Sequence, residues 1–107
     1  TPKCNRYSAS GMSMRLRWLR TALRNLDEEA DYIAAEDSAA ARLVVGRIHS
    51  AVAQLVDNPA MGRPGRVAGT RELVVTRTRY IVPYRVRGSE IQLLRVFHTS
   101  RKPPAKW

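Results

Sequence analysis

Cysteine is almost absent from this chain. Cys4 stands alone in a polar leader, so neither an internal disulfide nor a cysteine metal site can form. Long hydrophobic runs are missing too: no stretch reaches the ~18 apolar residues that a membrane span requires. The N-terminus lacks the apolar core of a secretory signal. These absences fit a reducing cytosol, and a cytoplasmic location is expected. Histidine is limited to His49 and His98, far apart in sequence, and the expectation is no bound metal. Gly62, Gly65 and Gly69 fall between a helix and a strand, the wrong order for a nucleotide-binding loop, so no cofactor is expected. No Ser-His-Asp arrangement is recognisable.

Acidic residues are scarce as well, and their placement is informative. The 107 residues carry 19 Lys and Arg against 9 Asp and Glu, a net charge of +10 and a pI near 11.0. The first 24 residues contain six bases and no acid. From Asn25 to Asp57 acids outnumber bases seven to two, whereas from Arg63 to Trp107 eleven bases face only Glu72 and Glu90. Charge sorted by region in this way favours an anionic partner: nucleic acid, a protein that acts on it, or a masking acidic protein.

The length suits one domain with a small core. Residues 1–13 lack periodicity and read as a disordered leader, and residues 101–107 as an extended basic tail. The domain proper is expected over 14–100. Met14 to Trp18 alternates apolar and charged side chains and predicts a short strand. Thr21 is a plausible cap for a helix running to about Glu36, with Leu19, Leu23, Leu26, Ala30 and Ile33 as its apolar stripe. Asp37-Ser38 caps a second helix, whose inner face carries Ala41, Val44, Val45, Ile48, Val52, Leu55 and Val56. Gly46 on its outer face costs that helix ~1 kcal/mol relative to alanine. The short connection makes the two helices an antiparallel hairpin.

Asn58 to Thr70, rich in Pro and Gly, reads as a loop. Strands are expected over Arg71–Val75, Tyr80–Arg87 and Glu90–His98, with Gly88-Ser89 as a two-residue turn. Tyr80, Val82, Tyr84 and Val86 share one face of the middle strand. Pro83 inside it demands a bulge or a position whose amide is not needed. In the last strand Leu94, Val96 and His98 are placed on one side, and Ile91, Leu93, Arg95 and Phe97 on the other. The whole is an α+β fold: an N-terminal strand, an antiparallel two-helix hairpin, then a three-stranded antiparallel meander. The helices pack on one face of a mainly antiparallel sheet.

From Arg15 to about Pro103 the chain resembles ParE-like toxins of the ParE/RelE superfamily, from bacterial toxin–antitoxin pairs. The matching runs are W-L-R-T-A-L-R-N-L-D-E-E-A-D-Y-I-A from Trp18, N-P-A-M-G-R-P-G-R from Asn58 and R-E-L-V-V from Arg71, followed by Y-I-V-P-Y-R-V from Tyr80 and L-L-R-V-F-H-T-S-R from Leu93. The resemblance implies one of two activities. RelE-like members are ribosome-dependent ribonucleases; ParE-like members poison DNA gyrase or a related topoisomerase. It also implies a cognate antitoxin whose C-terminal segment wraps the toxin in a hetero-oligomer.

Cleaving RNA needs a general acid, a general base and cationic stabilisation. His98 with Arg95 and Arg101 is the set available for that reading. The sheet offers no lysine, no second histidine and no obvious carboxylate partner, and arginine, with a pKa above about 12, is a poor base. Tyr80 and Tyr84 read as core residues and His49 as structural or solvated. The expected function is therefore non-enzymatic inhibition of gyrase, with no catalytic residue. Ile81, Arg85, Leu93, Arg95 and Phe97, arginines among apolar and aromatic neighbours, are the expected antitoxin surface. Arg101, Lys102, Lys106 and Trp107 are the expected target-binding tail. A ribosome-dependent ribonuclease and a basic nucleic-acid-binding module are the alternatives. Tyr32 and Leu43 are outer-face apolar residues that a partner could cover.

Overall fold

The computed structural model describes residues 14–100; the leader 1–13 and the tail 101–107 lie outside the described residues. Strand β1 (Arg15–Trp18) leads into helices α1 (Arg20–Ala34) and α2 (Ser38–Ala53), the second extended by a 3-10 turn over Gln54–Val56. Five further strands follow: β2 (Arg63–Pro64), β3 (Arg71–Val74), β4 (Tyr80–Arg87), β5 (Glu90–Leu93) and β6 (Phe97–His98). The sheet order is β1-β5-β4-β3-β2, with β6 continuing along β4 beyond β5. All pairs are antiparallel except β1 with β5, which are parallel.

Helix α1 begins two residues earlier than its sequence suggests. Leu19, not Thr21, occupies the cap position, without a side-chain hydrogen bond. The backbone explains this: Leu19 N–H donates to the Leu93 carbonyl at 3.1 Å, so the chain leaves the sheet and enters the helix at once. The inner stripe is also rotated. Ala22, Leu26 and Glu29 are buried, whereas Leu23 is 45% exposed. Glu29 is drawn inward because its carboxylate accepts a 2.8 Å hydrogen bond from the Tyr80 hydroxyl. A buried carboxylate needs such a partner. Asp37 caps α2 as its sequence indicates, its side chain accepting from Ala40 N–H at 3.1 Å.

The core lies between the hairpin and one sheet face. Ala22, Leu26, Ile48, Val52 and Leu55 meet Leu73, Tyr80, Val82, Tyr84, Ile91 and Leu93. Met14, Leu16 and Trp18 pack at its margin. Tyr84 is fully buried, yet its hydroxyl is satisfied: it donates to the Pro59 carbonyl at 2.7 Å and accepts from Gly62 N–H at 2.9 Å. Burial pushes its phenol pKa up, against the opposing effects of the Gly62 hydrogen bond and Arg71. These two bonds pin the Pro- and Gly-rich segment to the sheet. That segment is not wholly loop, since Arg63 and Pro64 pair with β3 as an edge strand. A β-carbon at Gly62 would stand 2.6 Å from the Tyr84 ring. Gly62→Ala is therefore expected to destabilise by about 1–3 kcal/mol, read as a lowered thermal midpoint.

The expected single last strand is broken. Leu93 pairs with Tyr84 and Phe97 with Ile81, so four steps on one strand oppose three on the other. One residue is extra, which makes a β-bulge at Leu94 to Val96. Pro83 supplies the reason. Its carbonyl accepts from Leu94 N–H at 2.8 Å, and its missing amide faces the same neighbouring strand. The bulge falls where that donor is absent.

Candidate functional site

The sheet face away from the helices carries the basic residues. Register sets Arg15, Glu90 and Arg87 in one row across three strands, and Arg17, Gln92 and Arg85 in the next. Side chains then link the rows. Arg85 Nε donates to Gln92 Oε1 at 2.6 Å, Gln92 Nε2 donates to Glu90 Oε1 at 2.8 Å, and Arg17 lies 3.6 Å from Glu90. The Gln92 hydrogen bond, then nearby Arg17 and Arg15, holds the Glu90 carboxyl below the usual carboxylate range despite some desolvation. Four arginines thus surround one carboxylate. Beside them a cavity of about 340 Å³ has Leu19 and Leu94 in its lining, with Arg85, Arg87 and the segment 67–70 around it.

The other half of this face is already neutralised. Glu72, 2% exposed, accepts at Oε1 from Arg63 Nε and Nη2 at 3.3 and 3.2 Å. At Oε2 it accepts from the Arg66 backbone N–H and Nε at 3.1 and 3.0 Å. Burial alone would raise the Glu72 pKa. Hydrogen bonds from Arg66 and Arg63, with the Arg66 charge, outweigh that and hold it below the ordinary 4.5. Arg66 also lies over the Phe97 ring, 5.8 Å from its centroid. This pairing was legible as a pattern: Leu73 and Val75 alternate inward, which places Glu72 among the arginines opposite.

The five residues expected to form one antitoxin surface are divided by the bulge. Leu93 is fully buried in the core beneath the helices, so it cannot belong to that surface. Leu94 takes its place beside Arg85 and Arg87. Ile81 is on the basic face but only 4% exposed, and Phe97 is half-buried beneath Arg66. Arg95 is half-buried, and its Nε has no hydrogen-bond partner among the described residues. Of the five, Arg85 is the one that joins the arginine cluster around Glu90, half-buried and bonded through Nε to Gln92. Arg101, Lys102, Lys106 and Trp107 fall outside the described residues.

His98 lies on the opposite side, in a cleft of about 490 Å³ lined also by Tyr32, Arg79, Tyr80 and Ser100. Its Nδ1 accepts from Ser100 N–H at 3.1 Å and lies 2.6 Å from Ser100 Oγ. Its ring meets Tyr80 edge-on at 5.2 Å. The Tyr80 hydroxyl, however, is turned to Glu29 inside the core. His49 is exposed and stacks loosely against Trp18. Among the described residues no cluster of His, Cys, Asp and Glu could hold a metal, and no helix is long and apolar enough to cross a membrane.

A mixed sheet covered on one side by a two-helix hairpin, with a basic opposite face and a bulged last strand, defines a small basic α+β domain. Residues 16–103 match the family described as the ParE toxin of the type II toxin-antitoxin system parDE. Y4kP of Sinorhizobium fredii strain NBRC 101917 / NGR234, which carries the name of a toxin, is 47% identical over 90 residues. The match covers 84% of this chain and 93% of that protein. A solved structure of a chromosomal ParDE toxin–antitoxin system from P. aeruginosa superposes with a TM-score of 0.74 at 36% identity. It covers 81% of this chain and 97% of the matched one. The chain belongs to the ParE toxin family of type II toxin–antitoxin systems.

Proposed function

We propose that this protein is a toxin that inhibits DNA gyrase or a related type II topoisomerase by binding it, in the bacterial cytoplasm, and that a cognate antitoxin holds it inactive. The observation that carries this reading is the open half of the basic face. Arg15, Arg17, Arg85 and Arg87 stand around the single carboxylate of Glu90, beside a cavity lined in part by Leu19 and Leu94. Such a surface suits an antitoxin segment that alternates acidic and apolar side chains. The tail Arg101, Lys102, Lys106 and Trp107 is assigned to the target.

Catalysis finds less support on this face. Arg63 and Arg66 are committed to Glu72, and Ile81, Pro83 and Phe97 fill the space between. A ribosome-dependent ribonuclease built on His98 has one observation in its favour, the cleft in which His98 stands. Of the titratable groups that share the cleft, Tyr80 turns its hydroxyl into the core toward Glu29, which leaves Tyr32 and Arg79 beside His98. Adding purified protein to gyrase is expected to suppress supercoiling and accumulate cleaved DNA, and His98→Ala is expected to leave both effects intact. Unchanged supercoiling at high excess, together with translation-dependent messenger cleavage that vanishes in His98→Ala, reverses the assignment.

A further inference from the structure

Two clefts flank the turn between β3 and β4, and neither contributes to the function just described. One, about 550 Å³, is lined by Arg42, Arg47 and Arg77 with both polar and apolar neighbours, Gln54 and Leu43 among them; the other is the His98 cleft with Arg79 and Tyr32. The turn sequence Thr76-Arg77-Thr78-Arg79 builds the wall they share. Thr78 Oγ1 donates to the Val75 carbonyl at 2.9 Å and accepts from Tyr80 N–H at 3.1 Å, which turns the threonine inward and leaves both arginines exposed. Arg77 adopts φ +64°, a left-handed conformation that costs a non-glycine residue about 1–2 kcal/mol. Arg47 Nη1 donates to the Arg77 carbonyl at 3.1 Å and so ties α2 to the turn.

The charge here is not what the hairpin's composition predicts. Between Asn25 and Asp57 seven acids accompany only two bases, Arg42 and Arg47, and both line this groove. No carboxylate lines either cleft. Asp31 borders Arg42 from the inter-helix side without forming an ion pair. Among the described residues none of the four arginines is ion-paired. Gly46 adds a second observation. A β-carbon there would meet nothing within 4 Å, so packing does not require glycine, yet it lines the cleft between Arg42 and Arg47. Glycine at such a point lets another molecule approach the backbone closely. At the far end Tyr32 offers a ring that is 68% exposed.

We propose that these clefts form one groove that binds a single strand of DNA, with phosphates on Arg42, Arg47, Arg77 and Arg79 and a base stacked on Tyr32. Arginine suits phosphate oxygens by its planar fork, and an exposed aromatic ring suits an unpaired base. The choice of DNA over RNA rests on the topoisomerase reading, because an enzyme that cuts and passes DNA presents strand ends. The toxin would then hold the cleaved DNA as well as the enzyme.

The test is fluorescence anisotropy of the full chain with a labelled single-stranded DNA oligomer, with no topoisomerase present, across a salt series. Arg42→Ala/Arg47→Ala is expected to weaken binding more than tenfold and to flatten the salt slope by about 1.4, the value for two lost phosphate contacts on a single strand. Arg77→Gly, which suits the turn's φ and keeps the fold, is expected to weaken it as well. Tyr32→Ala is expected to weaken single-strand binding while leaving duplex binding unchanged. Unaltered affinity and slope in the Arg42/Arg47 double variant, with an unchanged circular dichroism spectrum, would overturn the proposal. So would tighter binding, by more than tenfold, of RNA of the same sequence. If DNA binding follows the groove while gyrase is unaffected, the topoisomerase reading fails and the groove stands.

Discussion

Leu93→Ala is expected to cost about 2–5 kcal/mol of stability, the range for emptying a fully enclosed leucine site. Leu93 is 0% exposed and packs with Tyr84, its partner across the sheet, beneath the helical hairpin. Denaturant titration at neutral pH measures the effect as a lowered midpoint with an unchanged slope. Arg85→Ala gives the contrasting outcome. Arg85 is half-buried on the open face and, among the described residues, its side chain bonds that of Gln92, so stability should move by less than about 1 kcal/mol. Its loss should instead weaken antitoxin binding. A stable Leu93→Ala protein with impaired antitoxin binding would mean that the leucine reaches the surface after all.

Glu72→Gln is expected to lower stability by about 3 kcal/mol at neutral pH, the low end for breaking a buried ion pair by removing one partner. The low end applies because Arg63 and Arg66 keep 54% and 41% of their side-chain surface in water and can be resolvated. The pH dependence has a definite sign. The folded Glu72 pKa is depressed below 4.5, so its contribution is complete above that value and is lost as pH falls through the folded pKa. The gap between wild type and Glu72→Gln should therefore be wide at neutral pH and close in acid. A gap that stays constant down to low pH would show that the carboxylate's charge is not what holds the two arginines.

Much of the architecture could be read directly from residue order. Alternation in Arg71–Val74 and Tyr80–Arg87 set the strands, and three- and four-residue spacing set the helices. Asp37 and Gly88 set a cap and a turn by their own local chemistry, the latter with φ +60°. What escaped lay in contacts between distant segments. Leu19 displaced Thr21 as the start of α1 through a bond to Leu93, seventy-four positions away in the chain. Glu29 replaced Leu23 on the inner face because Tyr80 waits in the core. Pro83 signalled a bulge but not on which strand it falls. That one residue moved Leu93 into the core and brought Leu94 to the basic face.

Composition by itself determined that these 107 residues are strongly cationic and, with Cys4 alone, form no disulfide among themselves, with charge segregated between hairpin and sheet. Charge counts and periodicities are properties of neighbours along the chain, so no folding is needed to see them. Which arginines remain available was settled only by tertiary structure. Glu72 occupies Arg63 and Arg66, Glu90 sits among four others, and α2 brings Arg42 and Arg47 to the turn that carries Arg77 and Arg79. A cation's availability depends on which carboxylate lies within a few ångströms, and that distance is set by the packing of strands and helices far apart in sequence.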